Sequence, residues 1–185
     1  MKTLKNLALS GAVLLTAMMS STAVSAQEKK APQLTDPEIA SVAVTANQVD
    51  VEYAEIALKK THNKAVKNFA MTMKIDHSAV IKMAVDLVTK LKVTPKNNDV
   101  SKSIIAGGVK EKAILNRLKG KAFGKAYVNN EVSYHEFAVN AVENILIPQS
   151  QNAELKALLQ KALPIFKTHL EHAKMLQKDM KSHKM

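Results

Sequence analysis

From Asp36 to Met180 the chain repeats one pattern: apolar residues three and four positions apart, in long runs, with no useful length of strand-period alternation. That spacing draws a continuous apolar stripe along an α-helix and cannot line one face of a strand. The first run opens at Asp36-Pro37-Glu38, with Asp36 the expected N-cap, and carries Ile39, Val42, Ala46, Val49, Tyr53 and Ile56 to about Lys60. After the break Thr61-His62-Asn63, a second helix is predicted over 64–92, with the stripe Val66, Ala70, Met73, His77, Val80, Ala84, Leu87 and Leu91. Pro95 and two asparagines mark the loop that follows.

A shorter segment, about 100–119, is weakened by Gly107-Gly108, offers Ile104, Ile105, Val109, Ile114, Leu115 and Leu118, and is expected to end on Gly120 as a C-terminal cap. A long helix over 121–147, closed by Pro148, carries Phe123, Tyr127, Tyr134, Phe137, Ala138, Val142 and Ile145. The last helix starts at Asn152 with the stripe Leu155, Leu159, Ala162, Phe166, His169, Ala173, Leu176 and Met180, and Pro164 should free the carbonyl of Gln160 within it. The predicted fold is all-α: a four-helix bundle with an additional shorter helix between the second and third long helices, so not a plain up-down-up-down arrangement.

The N-terminus follows another rule. Lys2 and Lys5 precede a mostly apolar run, Leu7 to Met19, and Ala23-Val24-Ser25-Ala26 supplies small residues. This is the layout of a secretory signal cleaved after Ala26, and its apolar run is too short to span a bilayer. The chain reads as a signal peptide over 1–26, a leader over 27–35 and one helical domain over 36–183, periplasmic or secreted, with no transmembrane segment after cleavage. With no cysteine in the chain, there is neither a disulfide nor a lipid-anchoring thiol, and any soft metal site must use Met or His. The formal charge of +11 is mostly lysine scattered along the helices. Export argues against nucleic acid as the partner. A solvated basic surface is the plain reading, and contact with an anionic envelope component or a protein partner is the functional one.

Three histidines mark the candidate site. His77 and His169 stand mid-helix within apolar stripes, and His135 lies beside Tyr134 at the edge of one. Glu52 on the first helix and Glu131, one turn before His135, are the candidate carboxylates. Carboxylate centres in bundles use Glu-x-x-His pairs, whereas Glu131 and His135 are four apart, which argues against a full di-iron centre. A site of His77, His135 and His169 with one carboxylate suits Fe, Cu or Zn. The alternative is a hydrogen-bonded core network, to which Asp76 and Tyr127 also belong. Met71-x-Met73 is a lesser candidate for copper. No nucleophile stands with a base at a recognisable spacing and no nucleotide-binding motif occurs, so nothing identifies an enzyme.

Val66-Lys67-Asn68-Phe69-Ala70 with Asp76-His77, Leu118-x-Gly120 with Phe123 and Tyr127, His135, and Leu163-Pro164 with His169-Leu170 together resemble the bacterial domain-of-unknown-function four-one-four-two family, over roughly 36–177. The resemblance implies export, a ferritin-like helical bundle, and a shared set at Asp76, His77, Tyr127, His135 and His169. It implies no activity. The family usually carries an acid where this chain has Gly124.

Overall fold

The computed structural model describes residues 33–182. The expected signal segment, most of the leader and the last three residues lie outside them. The described residues form helices with no strand. Helix α1 spans Asp36–Lys60 and α2 Lys64–Lys90. The shorter α3 spans Asp99–Arg117, and α4 Gly120–Ala141. A π-helical turn, Val142–Leu146, leads from α4 into the three-residue α5, Ile147–Gln149, and α6 runs Ala153–Ser182.

The starts of α2, α3 and α6 are set by asparagine side chains. Asn63 Oδ1 accepts from the amides of Ala65 and Val66, Asn98 Oδ1 from Val100 and Ser101, and Asn152 Oδ1 from Glu154 and Leu155. The N-cap of α1 is Thr35, not Asp36. Asp36 is used across the molecule instead: its carboxylate accepts from the amides of Gln151 (2.9 Å) and Asn152 (2.8 Å), tying the start of α1 to that of α6.

Gly120 also departs from expectation. Helix α3 ends earlier, with Leu118 extended at its C-cap, and Gly120 opens α4 with φ +54°, a left-handed backbone that favours glycine. Pro148 does not close the fourth helix as a regular one. The widened turn 142–146 precedes it, which is where a regular helix would set the proline ring against the carbonyl of Asn144.

Helix directions follow from a few bonds. The loop after α2 returns to the start of α1, where Lys96 N–H donates to Pro37 O and Asn98 Nδ2 to Glu38 O. At the other end Lys60 Nζ, closing α1, donates to the last carbonyls of α3, Leu115 (2.9 Å) and Asn116 (2.6 Å). Thus α1, α3 and α6 run one way, and α2 and α4 the other. Helix α1 packs on α2 and α4, and α6 packs on the same two, which closes a ring of four. Helix α3 lies outside that ring, against α1 and α4.

Position in this arrangement explains which apolar residues are covered. Helix α1 meets α2, α3 and α4 and is buried on more than one face: Ile39, Val42, Val49 and Tyr53 on one row, Ala43, Asn47, Asp50, Ala54 and Ala57 on another. Gly108 lets α3 approach closely, because a Cβ there would come within 3.0 Å of Val49 Cγ1. Only one face of α3 is covered. Ile104 and Leu115 are buried, whereas Ile105, Val109 and Ile114 are 46%, 58% and 44% exposed, contrary to a fully inward stripe. Phe137 on α4 is likewise exposed.

A buried histidine–carboxylate centre

Each of the four ring helices contributes a polar side chain at mid-height. Asn47 and Asp50 come from α1, His77 from α2, Glu131 and His135 from α4, and His169 from α6, and all six residues are buried. The three imidazoles face one another, with centroids 5.4 Å (His77–His135), 5.1 Å (His77–His169) and 5.4 Å (His135–His169) apart. Phe166 stacks on His77 and closes one side.

The outer hydrogen bonds fix which nitrogen of each ring carries the proton. Asn47 Nδ2 donates to Ala43 O, so its Oδ1 is the atom 2.7 Å from His77 Nδ1 and must accept from it. His135 Nδ1 donates to the Glu131 carbonyl at 2.9 Å. His169 Nε2 donates to Asp76 Oδ2 at 2.9 Å. In neutral imidazoles this leaves lone pairs on His77 Nε2, His135 Nε2 and His169 Nδ1. The first two stand 3.3 Å apart, and His169 Nδ1 is buried without a hydrogen-bond partner. Two lone pairs at that distance repel unless a proton or a metal cation lies between them.

Asp50 supplies the charge that a cation would need. Its Oδ2 is 3.6 Å from His77 Nε2 and 3.7 Å from His135 Nε2, and among the described residues neither carboxylate oxygen has a hydrogen-bond partner. Three donor atoms spaced 3.3, 3.6 and 3.7 Å approach the edge of a tetrahedron around a metal with bonds of 2.0–2.1 Å, about 3.3–3.4 Å. A carboxylate or carbonyl holding the far nitrogen of each ligating imidazole is the usual outer support of such a site. The geometry brings His77, His135 and His169 within ligand reach of one another, and Asp50, Glu131 and His135 likewise.

Burial sets the protonation of the metal-free centre. Desolvation pushes the Asp50 carboxyl up to about 8. Desolvation, then the Asp50 charge, holds Glu131 well above the usual carboxylate range, and the Tyr127 hydroxyl opposes this. Desolvation lowers all three imidazoles, His135 to about 4, and neighbouring rings lower them further. For His169, Asp76 resists the shift.

The expected residues divide accordingly. His77, His135 and His169 converge. Glu131 is present, fully buried, with Oε2 3.6 Å from His135 Nδ1. Asp76 stays at the rim, holding His169. Tyr127 is buried one turn from Glu131, stacked on Phe123. Glu52 is elsewhere: it is ion-paired with Lys112 of α3, and the first helix contributes Asp50 in its place. Met73 is buried while Met71 is 45% exposed, so those two sulfurs face different ways, as positions two apart on a helix must. Asp50 and Asn47 are the residues that sequence reasoning missed. Their signal was the spacing Ala43, Asn47, Asp50, Ala54, Ala57, a small-residue row in which two polar side chains stand where the helix is closely packed.

The fold and centre define an all-helical protein with a buried polar cluster shared among its four ring helices. The chain belongs to the family described as Domain of unknown function (DUF4142), whose model matches residues 20–176. No curated protein and no solved structure matches it. Gly124 faces the Met180 methyl and Val66.

Proposed function

We propose that this is an exported, ferritin-like bundle protein that holds a metal ion at the centre of its helices. His77 Nε2, His135 Nε2, His169 Nδ1 and Asp50 would be the ligands. Asn47, the Glu131 carbonyl and Asp76 would orient the three rings. The carrying observation is the pair of facing imidazole lone pairs 3.3 Å apart beside an unpartnered buried carboxylate. Three imidazoles and one carboxylate suit Zn, Fe or Cu. Four protein ligands in a buried setting make a closed centre rather than one with an open position for substrate.

The ferritin-like assignment is supported by helix order: α1 up, α2 down, α4 down and α6 up, with α3 as the single long crossover. Placement in the envelope, periplasmic or released, rests on the signal-like first residues. The lysine excess favours a second reading, binding of the basic surface to an anionic envelope component; such binding would be salt-sensitive and survive loss of His77.

The test is metal content by mass spectrometry on mature protein purified without an affinity tag or chelator, beside a His77→Ala/His169→Ala variant. Near-stoichiometric metal in the wild type, absent from a variant of unchanged helix content, is the expected result. No metal after reconstitution with Fe, Cu and Zn would leave the histidines a core network.

A further inference from the structure

The end of the bundle where α4 starts and α6 finishes holds a cavity of about 640 Å³. That lies within the size range of pockets that take small ligands, roughly 300–1,000 Å³. Its buried lining is Val128 and Gly124, its half-buried lining Met180 with Thr61, Asn129 and Gln177, and its exposed lining includes Lys121, Lys125 and Lys181. Among the described residues no acidic side chain lines it.

Lys121 and Lys125 have no carboxylate partner among the described residues, and Lys181 reaches only the Gln177 amide oxygen, at 3.1 Å. These cations are also placed against the local field. Lys121 stands in the first turn of α4, where acids are favoured, and that turn has no acid and no side-chain cap. Helix α1 shows the ordinary solution, with Asp36 and Glu38 in its first turn. The inner wall is shaped by a missing side chain: a Cβ on Gly124 would come 3.3 Å from the Met180 methyl. Methionine adapts to ligands of varied shape.

We propose that this cavity binds a single-chain anionic amphiphile, a fatty carboxylate, with its chain against Gly124, Val128 and Met180 and its carboxylate among Lys121, Lys125 and Lys181. Charge complementarity picks the head group, and the apolar inner wall picks the chain. The site is separate from the histidine centre and stands whether or not that centre holds metal.

Calorimetric titration of the mature protein with dodecanoate, dodecanol and inorganic phosphate tests it, the last two supplying chain without charge and charge without chain. Saturable binding of one dodecanoate per chain, with dodecanol and phosphate at least tenfold weaker, is the expected result. Gly124→Leu, which fills the inner wall, should weaken dodecanoate at least tenfold. Lys121→Gln/Lys125→Gln, changed at exposed positions and expected to fold normally, should weaken dodecanoate tenfold and leave dodecanol unchanged. No saturable dodecanoate binding, equal binding of dodecanol or phosphate, or dodecanoate affinity unchanged in the lysine variant would overturn the proposal.

Discussion

Two layers of the same four helices obey opposite rules. In one, Val66 and Phe69 of α2, Phe123 and Tyr127 of α4, Ala57 of α1 and Ala173 of α6 are almost wholly buried, with Phe69 edge-on to Tyr127 and Phe123 stacked on it. That layer is held by its apolar and aromatic groups packing on one another, and of the groups named only the Tyr127 hydroxyl is polar, buried without a hydrogen-bond partner. A few turns away, Asp50, His77, His135 and His169 occupy equivalent inward positions and are just as buried. In that layer the ring nitrogens His77 Nε2 and His135 Nε2 stand 3.3 Å apart, and the Asp50 carboxyl beside them has no hydrogen-bond partner among the described residues. Burial alone therefore does not mark a core. What distinguishes the layers is whether the buried groups satisfy each other, and unsatisfied buried polar groups point to a role beyond packing.

Variants at each layer should separate them. Phe123→Ala should cost about 3–5 kcal/mol, equally with and without metal, measured by urea denaturation. An increment that depends on metal would mean the layers are coupled. Next in size, metal at a hundredfold excess over its Kd should stabilise the wild type by about 2.7 kcal/mol. Asp50→Asn should abolish that gain while leaving metal-free stability near wild type or above it, since it removes a buried carboxyl group. Strong destabilisation of metal-free Asp50→Asn would mean that the carboxyl has a protein partner.

Asn47→Ala removes the acceptor that orients His77 without touching a proposed ligand. Metal affinity should fall about 10–100-fold, read by competition with a chelator, while the number of ions bound stays the same.

Acidity offers a subtler comparison. Folded, metal-free protein keeps the Asp50 proton up to about pH 8, whereas an ordinary Asp releases it near 3.8. The folded state binds more protons across that window, so Asp50 makes stability fall as pH rises through it, by up to about 1.4 kcal/mol per pH unit. The imidazoles act in the other direction. His135 stays neutral down to about 4 while an unfolded histidine takes a proton near 6.5, so stability also falls as pH drops from 6.5 toward 4. Bound metal should flatten the alkaline arm by holding Asp50 ionised. Thermal melts from pH 5 to 8.5, with and without metal, read both arms; an alkaline arm unchanged by metal would remove Asp50 from the ligand set. The smallest effect belongs to Glu52→Gln, which should shift stability by no more than about 0.5 kcal/mol and leave metal content unchanged.

Helix existence was legible because spacing of three and four needs no knowledge of neighbours. The stripes Val66 to Leu87 on α2 and Leu155 to Leu176 on α6 are buried as written. Boundaries were less so. The switch of N-cap from Asp36 to Thr35 is itself local, a capping box in which the Glu38 carboxylate accepts from the Thr35 amide, and what only tertiary contact supplied is the use of Asp36 to hold the amides of Gln151 and Asn152. The π turn at 142–146 was not foreseen, since periodicity cannot see a single inserted register step.

Within the centre, three histidines were visible as polar interruptions of apolar stripes. Asp50 was hidden because α1 has more than one inward row, and the more hydrophobic row drew attention from the one holding Asn47 and Asp50. Glu52, two residues along, points to Lys112 instead.

By itself, then, the sequence determined the local matters: an all-helical chain, its main breaks, and imidazoles set into inward stripes, because helix formation and amphipathic spacing are properties of neighbouring residues. Only the tertiary structure decided that α1 is covered by three helices and α3 by its inner face alone, that Asp50 rather than Glu52 meets the histidines, and which nitrogen of each ring is free. Those depend on groups far apart in sequence brought within a few ångströms, and on hydrogen-bond acceptors that no single segment contains.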